Sequence, residues 1–284
     1  SPPGIARSMS LALTGTAEAL EALAPDLVLV LGDRFEIMAA AEAAMLHRIP
    51  IAHIAGGDVT EGAIDDVIRH AITKMAHLHF VTNSESARRV RQMGEEDARI
   101  VVTGSPALDH LRRAPHMSRE DLESQLLAPL GERNFLATFH PETLADDFGI
   151  AQLHELLAAL DAAYADGDVV WFTKSNADAG GTAINAQVEA WAADRDWVRV
   201  YPSLGHANYL ALMRLADLVL GNSSSGLYEA PAVGTPTVNI GARQGGRLTA
   251  NSVFDALPDR TAIDAAITAA LRFDRTSAES PYGD

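Results

Sequence analysis

Three observations predict an α/β chain made of two Rossmann-like domains with parallel sheets. Short apolar runs such as 27–31 and 218–220 recur along the sequence, as suits strands covered on both faces of a parallel sheet. Amphipathic stretches of helical length alternate with them, which gives βαβ units and right-handed crossovers. The pattern occurs twice, interrupted by a polar, helical stretch at 113–132 that has no strand signal.

In chain order, a helix is predicted over 5–24, then strand 27–31, helix 34–47, strand 51–54, helix 63–75, strand 79–81, helix 84–93 and strand 100–102. This first domain, 1–112, has four strands and no phosphate loop at its start, so its opening unit is expected to be missing. Residues 113–132 are expected to connect it to a second domain, 133–284. There the strands are 135–139, 169–172, 198–201, 218–220 and 237–240, with helices near 150–165, 182–193, 207–216, 224–232 and 261–272. A start at Ser1 and an end in Pro-Tyr-Gly-Asp lead to the expectation that both ends are incomplete.

Composition narrows the function. At 48% hydrophobic and 21% charged the chain is globular. No apolar run is long enough for a bilayer and no signal peptide is evident, so no membrane partner is expected and the cytoplasm is. The absence of cysteine excludes disulfides, thiolate metal sites and a cysteine nucleophile. A net charge of -16 repels polyphosphate backbones, so nucleic acid is not expected as a partner. No His and carboxylate set has metal-ligand spacing, and no metal is expected.

Ligands of open α/β sheets bind at the carboxyl ends of the strands, so residues there are the candidates. Gly32-Asp33-Arg34-Phe35-Glu36 follows the first strand; Asp33 either brings charge to the site or caps the next helix. The loop from Ala55 to Gly62 holds three glycines and Asp58, and opens a helix on which Asp65, Arg69 and Thr73 share a face. Asp66, His70 and Lys74 form the neighbouring stripe, which is either functional or a solvated ion-pair ladder. His140 ends a strand in the second half and is suited to proton transfer or to a structural role. Gly221-Asn222-Ser223-Ser224-Ser225-Gly226 joins a strand to a helix carrying Glu229. Its small residues and hydroxyls suit a diphosphate, beyond the single serine that a helix cap needs. Arg243 and Arg247 add guanidinium groups after the next strand. The pattern of a P-loop NTPase is absent.

As a set, Gly32 to Glu36, His53 to Lys74, Thr138 to Pro141, Ser175 to Asp178, Gly221 to Glu229 and Arg243 to Arg247 resemble the hydrolysing UDP-N-acetylglucosamine 2-epimerases, over nearly the whole chain and in order. The resemblance implies a GT-B-like fold with a cleft between the domains, an N-terminal unit with a Gly-Thr-Arg loop and a C-terminal crossing helix. It implies C2 deprotonation with anti elimination of UDP, then hydration of a 2-acetamidoglucal-like intermediate. Asp33, Asp65 and Asp58 become the candidate catalytic carboxylates, with acid and base roles left open. His140 becomes the group that aids or binds the leaving phosphate. Arg34, Arg69, Asn176, Ser223, Ser224, Ser225, Gly226, Glu229, Arg243 and Arg247 become the substrate contacts. The sequence departs from the family at Ala55, where relatives carry an acid or His, and at Asp58, where they carry Glu; Asp58 or Glu61 would then substitute. The implied partner is a UDP-sugar, either UDP-GlcNAc for sialic acid or its diacetamido-trideoxy analogue for legionaminic acid. A homodimer without cofactor is also implied. The alternatives are a non-hydrolysing epimerase, a GT-B glycosyltransferase and a non-catalytic nucleotide-sugar binder.

Overall fold

Two all-parallel sheets organise the chain. A computed structural model describes residues 2–60, 63–113, 116–176 and 178–282. It divides into unit 1, Ser1–Pro106 with Gly245–Arg247, and unit 2, Ala107–Gln244 with Leu248–Asp284.

In unit 1, helix α1 (Pro2–Leu23) precedes β1 (Val28–Leu31), α2 (Phe35–Leu46), β2 (Ile51–Ile54), α3 (Asp65–Met75), β3 (Leu78–Val81), α4 (Ser84–Gln92) and β4 (Ile100–Val102). The strands lie in the order β1-β2-β3-β4, with Val28 opposite Ile51 and His53 opposite His79. Four buried alanines of α2 let that helix approach closely, and three of them, Ala41, Ala43 and Ala44, pack with Val30, Ile51 and Ile72. Strand β1 is not the doubly covered strand that its apolar run suggests. Val30 faces this core, while Leu29 and Leu31 are 60% and 54% exposed. The helices packed in this core cover one face of the sheet only, and an apolar run alone does not tell one covered face from two.

Unit 2 opens with α5 (Pro106–Arg113) and α6 (Arg119–Leu126). Then follow β5 (Asn134–Thr138), α7 (Ile150–Ala163), β6 (Val169–Thr173), α8 (Gly181–Ala192), β7 (Val198–Tyr201), α9 (His206–Leu215), β8 (Leu218–Gly221), α10 (Ser225–Ala232), β9 (Thr237–Ile240), β10 (Val253–Ala256) and α11 (Arg260–Ala270). Part of the stretch expected to be a connection, 113–132, is helix α6. It is capped by the Ser118 side chain accepting from the Asp121 N–H, and it buries Leu122 and Leu126 beside Trp171 and Leu212. Two leucines in a polar helix were too weak a signal of packing.

The sheet order is β10-β9-β8-β5-β6-β7. Counted from β5 as first, this is the doubly wound order 3-2-1-4-5-6, and the order reverses between β5 and β8. Strands β5, β8 and β9 are buried throughout. Their side chains join Phe172, Leu153, Leu156 and Leu160 in the main core, where each large apolar side chain contributes about 1.5–3 kcal/mol by leaving water.

Candidate active site

The switch point of unit 2 is where such a sheet leaves a crevice, and it is closely built. Gly221 ends β8 at φ +122°, where a Cβ would collide with the Thr138 carbonyl oxygen of β5. Only glycine lets the two strands approach this closely. Next to it, Asn222 is fully buried and makes a reciprocal pair with the backbone of His140. The His140 N–H donates to Asn222 Oδ1 at 2.7 Å, and Asn222 Nδ2 donates to the His140 carbonyl at 2.8 Å. The Asn176 N–H donates to His140 Nδ1 at 3.3 Å. With Nδ1 as acceptor, neutral His140 carries its proton on Nε2.

A cavity of about 380 Å³ opens here, lined among others by Thr138, His140, Lys174, His206, Ser223 and Ser225. That volume suits a small ligand. Ser223 and Ser225 therefore present hydroxyls to the cavity at the start of α10, whereas Ser224 occupies the N-cap position without any side-chain cap bond. Of the three serines it is Ser223 that meets the helix start, its Oγ accepting from the Ser225 N–H at 3.4 Å. Gly226 packs rather than lines: a Cβ there would lie 2.7 Å from Thr237 Cγ2, and its carbonyl accepts from Thr237 Oγ1 at 2.9 Å. One turn further, burial pushes the Glu229 carboxyl up to about 7.

Two expected substrate contacts, Arg243 and Asn176, also bond the loops of the site. Arg243 is buried, with Nε on the Pro141 carbonyl at 3.3 Å and Nη1 on the Asn222 carbonyl at 3.2 Å. Gln244 Nε2 shares the Asn222 carbonyl at 2.7 Å. The Asn176 side chain donates to Asp178 Oδ2 at 2.6 Å.

In unit 1 the centre is Arg69, 1% exposed. It donates to the Asp58 carbonyl at 2.8 Å and to Thr60 Oγ1 at 2.9 Å, and it pairs closely with Asp33. Asp33 therefore faces Arg69. The N-cap of α2 is Arg34, which makes no cap bond and reaches Glu36 across an exposed 3.3 Å ion pair. The carboxylate that Arg69 meets on its own helix is Asp66, at 3.7 Å one turn earlier, and Asp66 also accepts from the Thr60 N–H at 2.8 Å. Asp65 is half-buried at the first position of α3. Asp58 is buried, its Oδ1 accepting from Thr82 Oγ1 at 2.6 Å and Ser86 Oγ at 2.5 Å. Ala55 stands in the left-handed region at φ +63° and brings no titratable group. Glu61 lies outside the described residues. Arg247 belongs to this unit, with Nε on the Val59 carbonyl at 2.8 Å and Nη2 on Thr60 Oγ1 at 2.7 Å.

Sequence reasoning passed over His53. Its Nε2–H donates to the Gly32 carbonyl at 2.8 Å and its Nδ1 lies 3.2 Å from Thr73 Oγ1. Burial pushes this imidazole down to about 4, so it stays neutral. It braces the residue before Asp33 against the helix of Arg69. Tyr209 was likewise missed, and Asn222, though inside the Gly221 to Gly226 segment, was given no role of its own. Among the described residues no group of three or more His, Asp or Glu could hold a metal ion, and no helix is long and apolar enough to cross a membrane.

Comparison with known proteins places this arrangement. The family model described as UDP-N-acetylglucosamine 2-epimerase matches residues 1–284. A Campylobacter jejuni protein named GDP/UDP-N,N'-diacetylbacillosamine 2-epimerase (hydrolyzing) is 39% identical over 253 residues, 89% of this chain. The Escherichia coli polysialic acid biosynthesis protein P7 is 37% identical over 259 residues, 91% of this chain. The chain spans 65% and 66% of the length of these two relatives. The solved Methanocaldococcus jannaschii UDP-GlcNAc 2-epimerase, in complex with UDP-GlcNAc and UDP, has a TM-score of 0.82 at 14% identity, covering 97% of this chain and 77% of that one. The Neisseria meningitidis UDP-GlcNAc 2-epimerase bound to UDP-GlcNAc has 0.80 at 16%, covering 98% and 78%. These likenesses show the GT-B-like fold. With its whole length matched, the chain belongs to the UDP-N-acetylglucosamine 2-epimerase family.

Proposed function

We propose that the protein carrying this chain is a hydrolysing 2-epimerase of a UDP-linked 2-acetamido sugar. The observation that carries this reading is the hydroxyl-lined cavity at the β5/β8 switch point, with His140 locked by Asn222 and protonated on Nε2. In this reading Ser223 donates to the diphosphate, Ser225 supports Ser223, and Glu229 accepts from ribose hydroxyls. His140 donates from Nε2 to the departing phosphate oxygen. A carboxylate, Asp33 or Asp65, takes the C2 proton as the C1–O bond breaks, and Arg69 holds Asp33 in place. UDP leaves with the bonding pair, and a C1–C2 double bond forms. Water then supplies hydroxyl to C1, and a proton returns to C2 from the opposite face, so one water is consumed per UDP and free manno sugar released. Asp58 supports the loop that Arg69 clamps and is not assigned a proton-transfer step.

The names of the relatives support UDP-2,4-diacetamido-2,4,6-trideoxyglucose as the first substrate to test and UDP-GlcNAc as the second. The likeness to a polysialic acid biosynthesis protein supports a place in sialic or legionaminic acid biosynthesis. The family resemblance supports a homodimer.

The test is incubation with each sugar nucleotide in heavy water, without acceptor, followed by proton NMR. Free UDP with manno product deuterated at C2 supports the reading. A UDP-linked manno product moves it to the non-hydrolysing branch. No UDP release from either substrate overturns it.

A further inference from the structure

Three hydroxyls in the unit 2 cavity form a chain that the motifs do not reveal. Tyr209, on α9, places its Oη 2.7 Å from Ser225 Oγ. Ser225 Oγ donates to Ser223 Oγ at 3.1 Å, and the Ser225 N–H points to the same oxygen at 3.4 Å. A serine has one hydroxyl hydrogen, and that of Ser225 is spent on Ser223. The bond from Tyr209 therefore has only one direction, from phenol to Ser225. Burial keeps the Tyr209 phenol protonated by pushing it up from its ordinary value. At the other end, Ser223 Oγ already accepts twice, and among the described residues no acceptor is found for its own hydrogen. Ser223 lines the cavity.

We propose that Tyr209, Ser225 and Ser223 form a one-way hydroxyl relay that leaves Ser223 as a donor to an anionic oxygen in the cavity, with Tyr209 as a positioning residue. Bonds in such a chain polarise one another in the same sense. A Ser223 oxygen occupied by two donors can give a hydrogen but has little left to accept with, so the site fits phosphate oxygens and not a cation or an amide N–H. The ligand identity rests on the proposed function; the direction of the relay does not. The relay strengthens as charge collects on the oxygen it faces, and thus favours UDP as it leaves over UDP still bonded to the sugar.

The experiment compares wild type, Tyr209→Phe, Ser225→Ala and the double variant, with Tyr201→Phe as the control. Tyr201 also donates its hydroxyl within unit 2, to the Leu126 carbonyl at 2.9 Å, but does not line the cavity. UDP and uridine affinities are measured by calorimetry, kcat and KM by UDP release, and thermal midpoints in parallel. Tyr209→Phe is expected to weaken UDP about fivefold, the size of one lost hydrogen bond, with uridine unchanged and kcat falling more than KM. Adding Tyr209→Phe to Ser225→Ala is expected to cost nothing further. Tyr201→Phe is expected to lower the midpoint alone. Unchanged UDP affinity in Tyr209→Phe, or equal losses for UDP and uridine, overturns the relay. If wild type binds no UDP, the proposed function fails, and inorganic pyrophosphate becomes the probe. Weaker pyrophosphate binding in Tyr209→Phe then still supports the relay, and equal binding overturns it.

Discussion

Replacing Asn222 with alanine isolates the lock on His140. The wild-type side chain is fully buried and makes two bonds to one backbone unit, 2.7 Å from the His140 N–H and 2.8 Å to its carbonyl. Alanine removes both and leaves that N–H and carbonyl without these partners. His140 is only partly shielded, so the lower part of the range for an orphaned buried polar group applies, about 1–2 kcal/mol for each bond and about 2–4 kcal/mol together. For a unit of this size that corresponds to a fall of roughly 10 °C in midpoint. All three tryptophans, Trp171, Trp191 and Trp197, lie in unit 2, so their fluorescence follows its unfolding directly. The same variant is expected to lower kcat about 100-fold, because a catalytic group displaced by about 1 Å loses that much. UDP affinity is expected to change less, since Ser223 and Ser225 keep their bonds to each other. An unchanged midpoint refutes the energy assigned to the lock. A lowered midpoint with kcat/KM within about twofold of wild type refutes the claim that the lock aims His140.

Acid should loosen unit 1 through His53. Its folded value, about 4, lies below the unfolded 6.5, so the unfolded chain binds more protons between those values. The stability that neutral His53 confers is present above pH 6.5 and lost as pH falls toward 4, by about 3 kcal/mol in all. Hydrogen exchange across 28–81 at pH 7 and pH 4.5 reads it, and His53→Gln should remove most of the difference. Glu229 has the opposite sense: its carboxyl, raised to about 7, stabilises below pH 4.5 and loses that contribution as pH rises through 7. If UDP's ribose hydroxyls donate to it, binding at pH 7 should release about half a proton. Calorimetry in buffers of different ionisation enthalpy measures this, and an equal release in Glu229→Gln would refute it. Gly221→Ala should cost more than about 4 kcal/mol, because the new Cβ meets the Thr138 carbonyl oxygen, which belongs to a strand and cannot yield; a tryptophan unfolding curve like that of wild type would count against it.

Strand β8 and the Phe135-Leu136-Ala137 centre of β5 were legible because burial on both faces makes them apolar. Strand β10 was not: Val253-Phe254-Asp255-Ala256 is short, lies at the sheet edge and includes an acid. Helical spacing put Asp65 with Arg69, yet Asp66 is the carboxylate nearest Arg69 on α3, because i,i+3 and i,i+4 neighbours compete and the Thr60 loop settles the choice. Loop glycines and serines could be read as a candidate ligand site from their small size. Their partners could not, since the bond from His140 to Asn222 spans 82 residues and that from Tyr209 to Ser225 joins two helices. A sequence pattern of local period carries no trace of such bonds.

If an acidic chain, of net charge -16, holds a diphosphate as proposed, the buried arginines bear on how. Motif reading gave Arg69 and Arg243 to the anion. Both are almost fully enclosed, and both donate to backbone carbonyls, Arg69 to Asp58 and Arg243 to Pro141 and Asn222. Each fixes the loop on which candidate groups stand: Arg69 the loop before α3, Arg243 the loops of His140 and Ser223. In the proposed reading, contact with phosphate then falls to the Ser223 hydroxyl and to the His140 Nε2–H, with Lys174 on the cavity wall. Neutral dipoles held in place by buried cations need no rearrangement as the C1–O bond breaks. They therefore act on the charge that develops in the transition state more than on the bound ground state, which is the condition for raising kcat.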